Sequence, residues 1–319
     1  MVISKKKIIS LVAVGTLVLS MLALAGCGGK DTPKTAKEAF DANTKALESV
    51  ENYHSDINAD IEIGYSMPGA EGSEKDSDSQ ASSMTMPMSI TMSADASKKV
   101  VHADLNLKMS LFGESQDMKA EMWSDLKGGK SYVKDSESNA WSVSDESGVD
   151  VDKLTKMNVP DEMAEKMTIE EGDGIYTVKC EAKDIDFTKL MKNQDITEDM
   201  GSEMGLDFSN MKVESGTIEF IFDSETQLIK EAKVSDLKMV YKAPKGDEEN
   251  LMAGMEMTFT MNASIKMSDY NKIDKSKLTI PEDVVKNAKA ESDDDSLVTD
   301  IEKGSSGSDA SNALETDNE

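Results

Sequence analysis

No arginine occurs anywhere in the 319 residues, so all 35 basic side chains are lysine. Bidentate guanidinium recognition of phosphate or carboxylate is therefore excluded. Histidine occurs only at His54 and His102, and cysteine only at Cys27 and Cys180. Neither pair has metal-ligand spacing, and HExxH, CxxC, GxSxG and phosphate-cradling glycine loops are all missing. Paired carboxylates abound because the chain is acidic, so they do not single out a glycosidase. A non-enzyme without a cofactor is the expectation. The 62 acidic residues give a formal charge of −27, which excludes nucleic acid as a partner. Aromatics make up 5%, and most of them, Trp123 and Trp141 included, fall within or beside segments that read as strands.

The first segment that is not core-like is the N-terminus. Lys5, Lys6 and Lys7 precede an apolar run from Ile8 to Ala25, which predicts a secretory signal over 1–26 rather than a structural helix. It ends in Leu24-Ala25-Gly26-Cys27, a sequence that resembles the lipobox of bacterial lipoproteins. That resemblance implies a diacylated Cys27 as first residue of the mature chain. Two buried acyl chains give a stable membrane anchor. Residues 27–34 then form a tether, and Cys180 is left without a disulfide partner. Cys180 alternates with Tyr176 and Val178 in IYTVKC, the pattern of a buried structural thiol. At the other end, residues 291–319 carry ten acidic residues against Lys303 and read as a solvated, disordered tail.

Between these ends lies one body, residues 35–290. Ala36, Phe40, Leu47 and Val50 recur at helical spacing and predict an amphipathic helix from about Thr35 to Glu51. Strict alternation follows. It is clearest in MEMTFTMNASIKM (255–267), where every odd residue is apolar, and in MTMPMSITMSA, VHADLNLKMSL and MKAEMWSDL. Pro87 predicts an edge strand or a bulge, and Gly128-Gly129 a two-residue hairpin. The parity slips between Val234 and Leu237, which predicts a β-bulge near Ser235-Asp236. Pro160-Asp161-Glu162 and Pro281 mark helix starts, while DFTKLMKN and EDMGSEM read as short helices or turns. The strands are too long for an even two-sheet sandwich. The expected fold is mainly antiparallel β with a few helices: a single large curved sheet, an incomplete barrel, with helices over its concave face.

This order of elements, with the stretches TAKEAFDANTKALESVENYHSDI, LKGGKSYVKDSESNAWSVS and KLTIPEDVVKNA, resembles the LolA-like and LprG-like lipoproteins, the related RseB and MucB domains, and uncharacterised Gram-positive lipoproteins. The resemblance implies an apolar concave side that holds lipid acyl chains, on a protein tethered to the extracytoplasmic face of the cell membrane. The expected apolar face is Met86, Met88, Met92, Leu107, Met109, Met122, Met239, Met257, Phe259, Met261 and Ile265. Methionine is a poor strand former, but it is unbranched and adaptable, as suits surfaces that accept varied apolar partners. A second reading keeps the sheet as a scaffold for a tethered sensor or a module that binds protein or an envelope polymer. A solute-binding lipoprotein would need alternating βα units, which are missing.

Overall fold

A computed structural model describes residues 32–66, 82–111, 114–135, 139–144, 161–185, 210–243 and 255–290. Cys27 with the signal and most of the tether, the acidic tail, DFTKLMKN and EDMGSEM therefore lie outside the described residues. The chain opens with helix α1 (Ala36–Leu47). Thr35 caps it by accepting from the Glu38 amide at 3.2 Å, and Glu38 accepts in return from the Lys34 amide at 2.7 Å. The helix stops four residues short of Glu51 because the next backbone is taken elsewhere: Asn271 accepts from the Glu51 amide at 2.6 Å and donates to the Ser49 carbonyl at 3.0 Å. Strand β1 then begins at Asn52.

Among the described residues twelve strands follow: β1 (Asn52–Ser66), β2 (Ser82–Asp95), β3 (Val100–Leu111), β4 (Glu114–Asp125), β5 (Lys130–Asp135), β6 (Trp141–Ser144), β7 (Thr168–Gly172), β8 (Ile175–Glu181), β9 (Met211–Asp223), β10 (Ile229–Lys242), β11 (Glu256–Ser268) and β12 (Lys289–Ala290). They form one sheet in the order β12-β6-β5-β4-β3-β2-β1-β11-β10-β9-β8-β7. All neighbours are antiparallel except β12 on β6. The sheet is large and not closed, an incomplete barrel as its alternation predicts. Among the described residues the remaining elements are helices α2 (Asp161–Ala164) and α3 (Glu282–Asn287) and a 3-10 turn, Ala182–Asp184.

Most of the core lies on the concave face. Ile57, Ala59, Ile90, Leu107, Val178, Phe220, Ala232, Val234 and Ile265 alternate inward and are buried. At the β8–β10 end Phe40 of α1 meets Phe220 and Phe222 edge-on at 5.0 and 5.7 Å, and Tyr176 stacks on Phe222 at 5.0 Å. Each such ring pair adds about 0.5–1.5 kcal/mol beyond its buried area. Asn43, fully buried on α1, accepts from the Ile229 amide at 2.9 Å and so fixes the helix against β10. Ala164 and Met167, from α2 and the turn after it, join the same cluster.

Three local expectations change. Pro87 sits in an internal strand, between β1 and β3. On the β3 side Met86 and Pro87 have no ladder partners, yet pairing resumes at Met88↔Leu107 in the same register, so the missing amide opens a gap without shifting the sheet. The β4–β5 turn spans four residues, 126–129, because Asp125 Oδ1 accepts from the Lys127 and Gly128 amides at 3.1 and 2.8 Å. The closing helix α3 packs on the outer face: Val284, with Ile280 and Ala288, covers Trp123 and Tyr132. A strand the periodicity does not reveal is β7, whose single inward residue, Ile169, opposes Val178.

The predicted bulge is present. Register shifts between Val234 and Leu237, and Asp236 takes φ 50° with its amide donating to Asn262 at 2.8 Å. Opposite it Gly216 adopts φ +130°, where an added Cβ would lie 2.7 Å from Leu237 Cα. Gly216→Ala is expected to cost about 1–3 kcal/mol in urea unfolding. Gly64→Ala, with nothing within 4 Å of the new Cβ, is expected to change stability by about 0.5 kcal/mol or less.

Candidate ligand-binding site

Cross-strand register assembles the concave wall row by row. Met261, Ile61 and Met86 form one row; Ala263, Ala59, Met88, Leu107 and Met118 the next; Ile265, Ile57, Ile90, Leu105 and Ala120 a third; Met267, Ser55, Met92, Ala103, Met122 and Val133 a fourth. Their side chains share a face because strand alternation has period two and the register does not slip from β4 to β11.

The expected face divides into three groups. Met86, Met88, Leu107 and Ile265 are buried as part of the main core. Met92, Met122, Met239 and Met261 are half-buried and pack against that core from outside, as do Met84, Met118 and Met267, which the sequence list omits although they have the same parity. Met257 and Phe259 keep the alternation but belong to a separate cluster around Tyr241 at the end of β10 and β11. Met109 pairs with Gln116 through its backbone; its side chain lies outside the described residues.

The helices cover this wall unevenly. The ring contacts of Phe40 and the hydrogen bond of Asn43 tie α1 to β9 and β10, at Phe220, Phe222 and Ile229. Among the described residues no ring or hydrogen-bond contact ties a helix to the concave face of β2, β3 or β4, where Met84, Met92, Leu105, Met118 and Met122 remain only half-buried. Ser55, buried in the fourth row between Met92 and Met267, has no hydrogen-bond partner for its hydroxyl among the described residues. The chemistry of the wall is dispersion and desolvation, with thioethers able to repack around different shapes.

Register also brings together groups that composition alone does not. His54 lies opposite Ser93, its Nδ1 3.0 Å from the Ser93 hydroxyl and its Nε2 3.5 Å from Asp56. These are the residue types of an acyl-transfer triad. They sit near the start of β1 and the end of β2, two internal strands whose backbone amides are spent on ladders to either side, so among the described residues of these strands no pair of amides is left to stabilise an oxyanion. His102 stacks on Trp123 at 4.2 Å, and its Nε2 lies 3.4 Å from Glu121. Among the described residues no group of three or more His, Cys, Asp or Glu is arranged to hold a metal, and no helix is long and apolar enough to cross a membrane.

Cys180 is buried beside Ile218 of β9, and burial pushes its thiol up to about 12, with Asp184 and Glu181 adding to the effect. The thiolate needed for reaction is therefore scarce at neutral pH. In the folded protein Cys180 is expected to resist a maleimide at pH 8 for hours and to react within minutes once unfolded in urea; rapid labelling of folded protein would contradict its burial.

No curated protein matches the chain. Among solved structures it is similar to a beta-barrel-like protein of domain of unknown function DUF1849 from Brucella abortus, at 14% identity and a TM-score of 0.23, over 69% of this chain and 99% of that one. That superposition is too loose to bear on fold or function. The sequence model of the family of unknown function DUF6612 matches residues 35–289, from the cap of α1 to the first residue of β12, and the chain belongs to that family.

Proposed function

We propose that this protein is a membrane-tethered, extracytoplasmic and non-catalytic carrier that shields a lipid or another flexible apolar molecule on its concave methionine face. The observation that carries this reading is the uneven cover of that face. The helix contacts concentrate on β9 and β10, while Met84, Met92, Met118, Met122 and Met261 stay half-exposed on a contiguous wall. Leu or Ile would bury as well and suit a strand better. Methionine's three rotatable bonds let one wall fit acyl chains of different length and unsaturation. The resemblance to LolA-like and LprG-like lipoproteins supports the same reading, and lipid attachment at Cys27 would hold the open face close to its source of ligand.

The reading is tested on full-length protein extracted from membranes. Native mass spectrometry is expected to show adducts of lipid mass that dissociate as intact lipids, and the stripped protein is expected to take up a fluorescent fatty acid. Protein that is always empty and takes up no apolar probe would refute it. Met261→Asp places a carboxylate on the wall and is expected to reduce uptake at least tenfold, with a stability loss on the order of 1–3 kcal/mol. Unchanged uptake in a folded variant would show that the ligand does not touch this face.

A further inference from the structure

On the opposite side of the sheet a groove of about 420 Å³ runs across β2, β3, β4 and β5, within the size range of small-ligand sites. Two cross-strand rows build it. One is Thr91, Asp104, Glu121 and Lys134; the other includes Ser89, Asn106 and Lys119. The rows lie two residues, or about 7 Å, apart along the strands.

The first row contains a local conflict. Asp104 lies directly opposite Glu121, and like charges so placed oppose strand pairing. Glu121 is compensated, since Lys134 Nζ lies 3.2 Å from it. Asp104 is exposed, and no cation or donor partner is recorded for it among the described residues, nor any side-chain partner for Asn106 or Lys119. Acceptors at Asp104 thus face open solvent one row from donors at Asn106 and Lys119. Asp104 and Glu121 cancel Lys119 and Lys134 in formal charge, so the groove itself selects neither cation nor anion, and the chain's −27 disfavours polyanions. Beyond Lys134 stands Trp141, its ring 5.6 Å from Lys134 Nζ.

We propose that this groove binds a neutral polyhydroxylated ligand, a glycan, at a site separate from the concave face. Sugar hydroxyls would donate to Asp104 and accept from Asn106 and Lys119, giving charge-assisted hydrogen bonds that the sheet itself leaves unmade. The site does not depend on the apolar-carrier reading: the two lie on opposite faces, and one can exist without the other.

The test uses the full lipidated chain in phosphatidylcholine nanodiscs, titrated with the tetrasaccharide of β-1,4-linked N-acetylglucosamine, with cellotetraose and with maltotetraose, and read by tryptophan fluorescence and saturation-transfer NMR. At least one probe is expected to saturate. Asp104→Ala and Lys119→Ala, both at exposed positions, are each expected to weaken it at least tenfold, with melting temperature and fatty-acid uptake unchanged. No saturable response to any of the three, binding undiminished in both variants, or stronger competition by hexalysine or polyphosphate than by the sugars would overturn the proposal. Loss of fatty-acid uptake in the groove variants would show that the two faces are not separate.

Discussion

An unbroken register across β4, β3, β2, β1 and β11 is the constraint on which the rest of the molecule depends. Because side chains alternate with period two, a one-residue slip anywhere in these ladders would send half of the methionines to solvent and bring Asp, Asn and Lys inward. The pairings Ala59↔Met88, Met88↔Leu107, Leu107↔Met118 and Ala59↔Ala263 hold the parity over five strands. The ladder survives even the missing amide of Pro87. Where parity does slip, between Val234 and Leu237, the bulge restores it at once, and Gly216 gives the space the bulge requires.

Given that register, two surfaces of opposite character follow from one alternation. The concave side collects the thioethers, and α1 fills only the aromatic end, with Phe40 against Phe220 and Phe222. The outer side collects hydroxyls, amides and paired charges, and α3 seals it only over Trp123 and Tyr132. The segment between β11 and α3 links the two sides. Asn271 and Ile273 bond to the start of β1, and Lys98 reaches the Lys275 carbonyl at 2.9 Å. Aspartates account for part of the acidic content structurally: Asp95, Asp125, Asp223 and Asp274 each accept backbone amides within turns.

The long strands were legible because alternation is a local signal, and the bulge because a parity slip is one too; β7, with Ile169 as its single inward residue, carries no such signal. Strand order was not legible, nor which side of the sheet α3 would choose, since KLTIPEDVVKNA has the same local pattern on either face. The end of α1 depended on Asn271, more than 200 residues away in sequence. The opposed Asp104 and Glu121, and the contact of His54 with Ser93, exist only through register. For the candidate wall the sequence named the correct parity but could not separate Met86 and Met88, which are buried in the main core, from Met92, Met122 and Met261, which stay half-open at its margin.

The central claim is that these half-open methionines form a ligand surface rather than incompletely covered core. Methyl-labelled methionine NMR of the protein titrated with oleate tests it most directly. The account predicts saturable shifts at Met84, Met92, Met118, Met122 and Met261 together. An unchanged spectrum, or shifts confined to methionines away from this face, would contradict it.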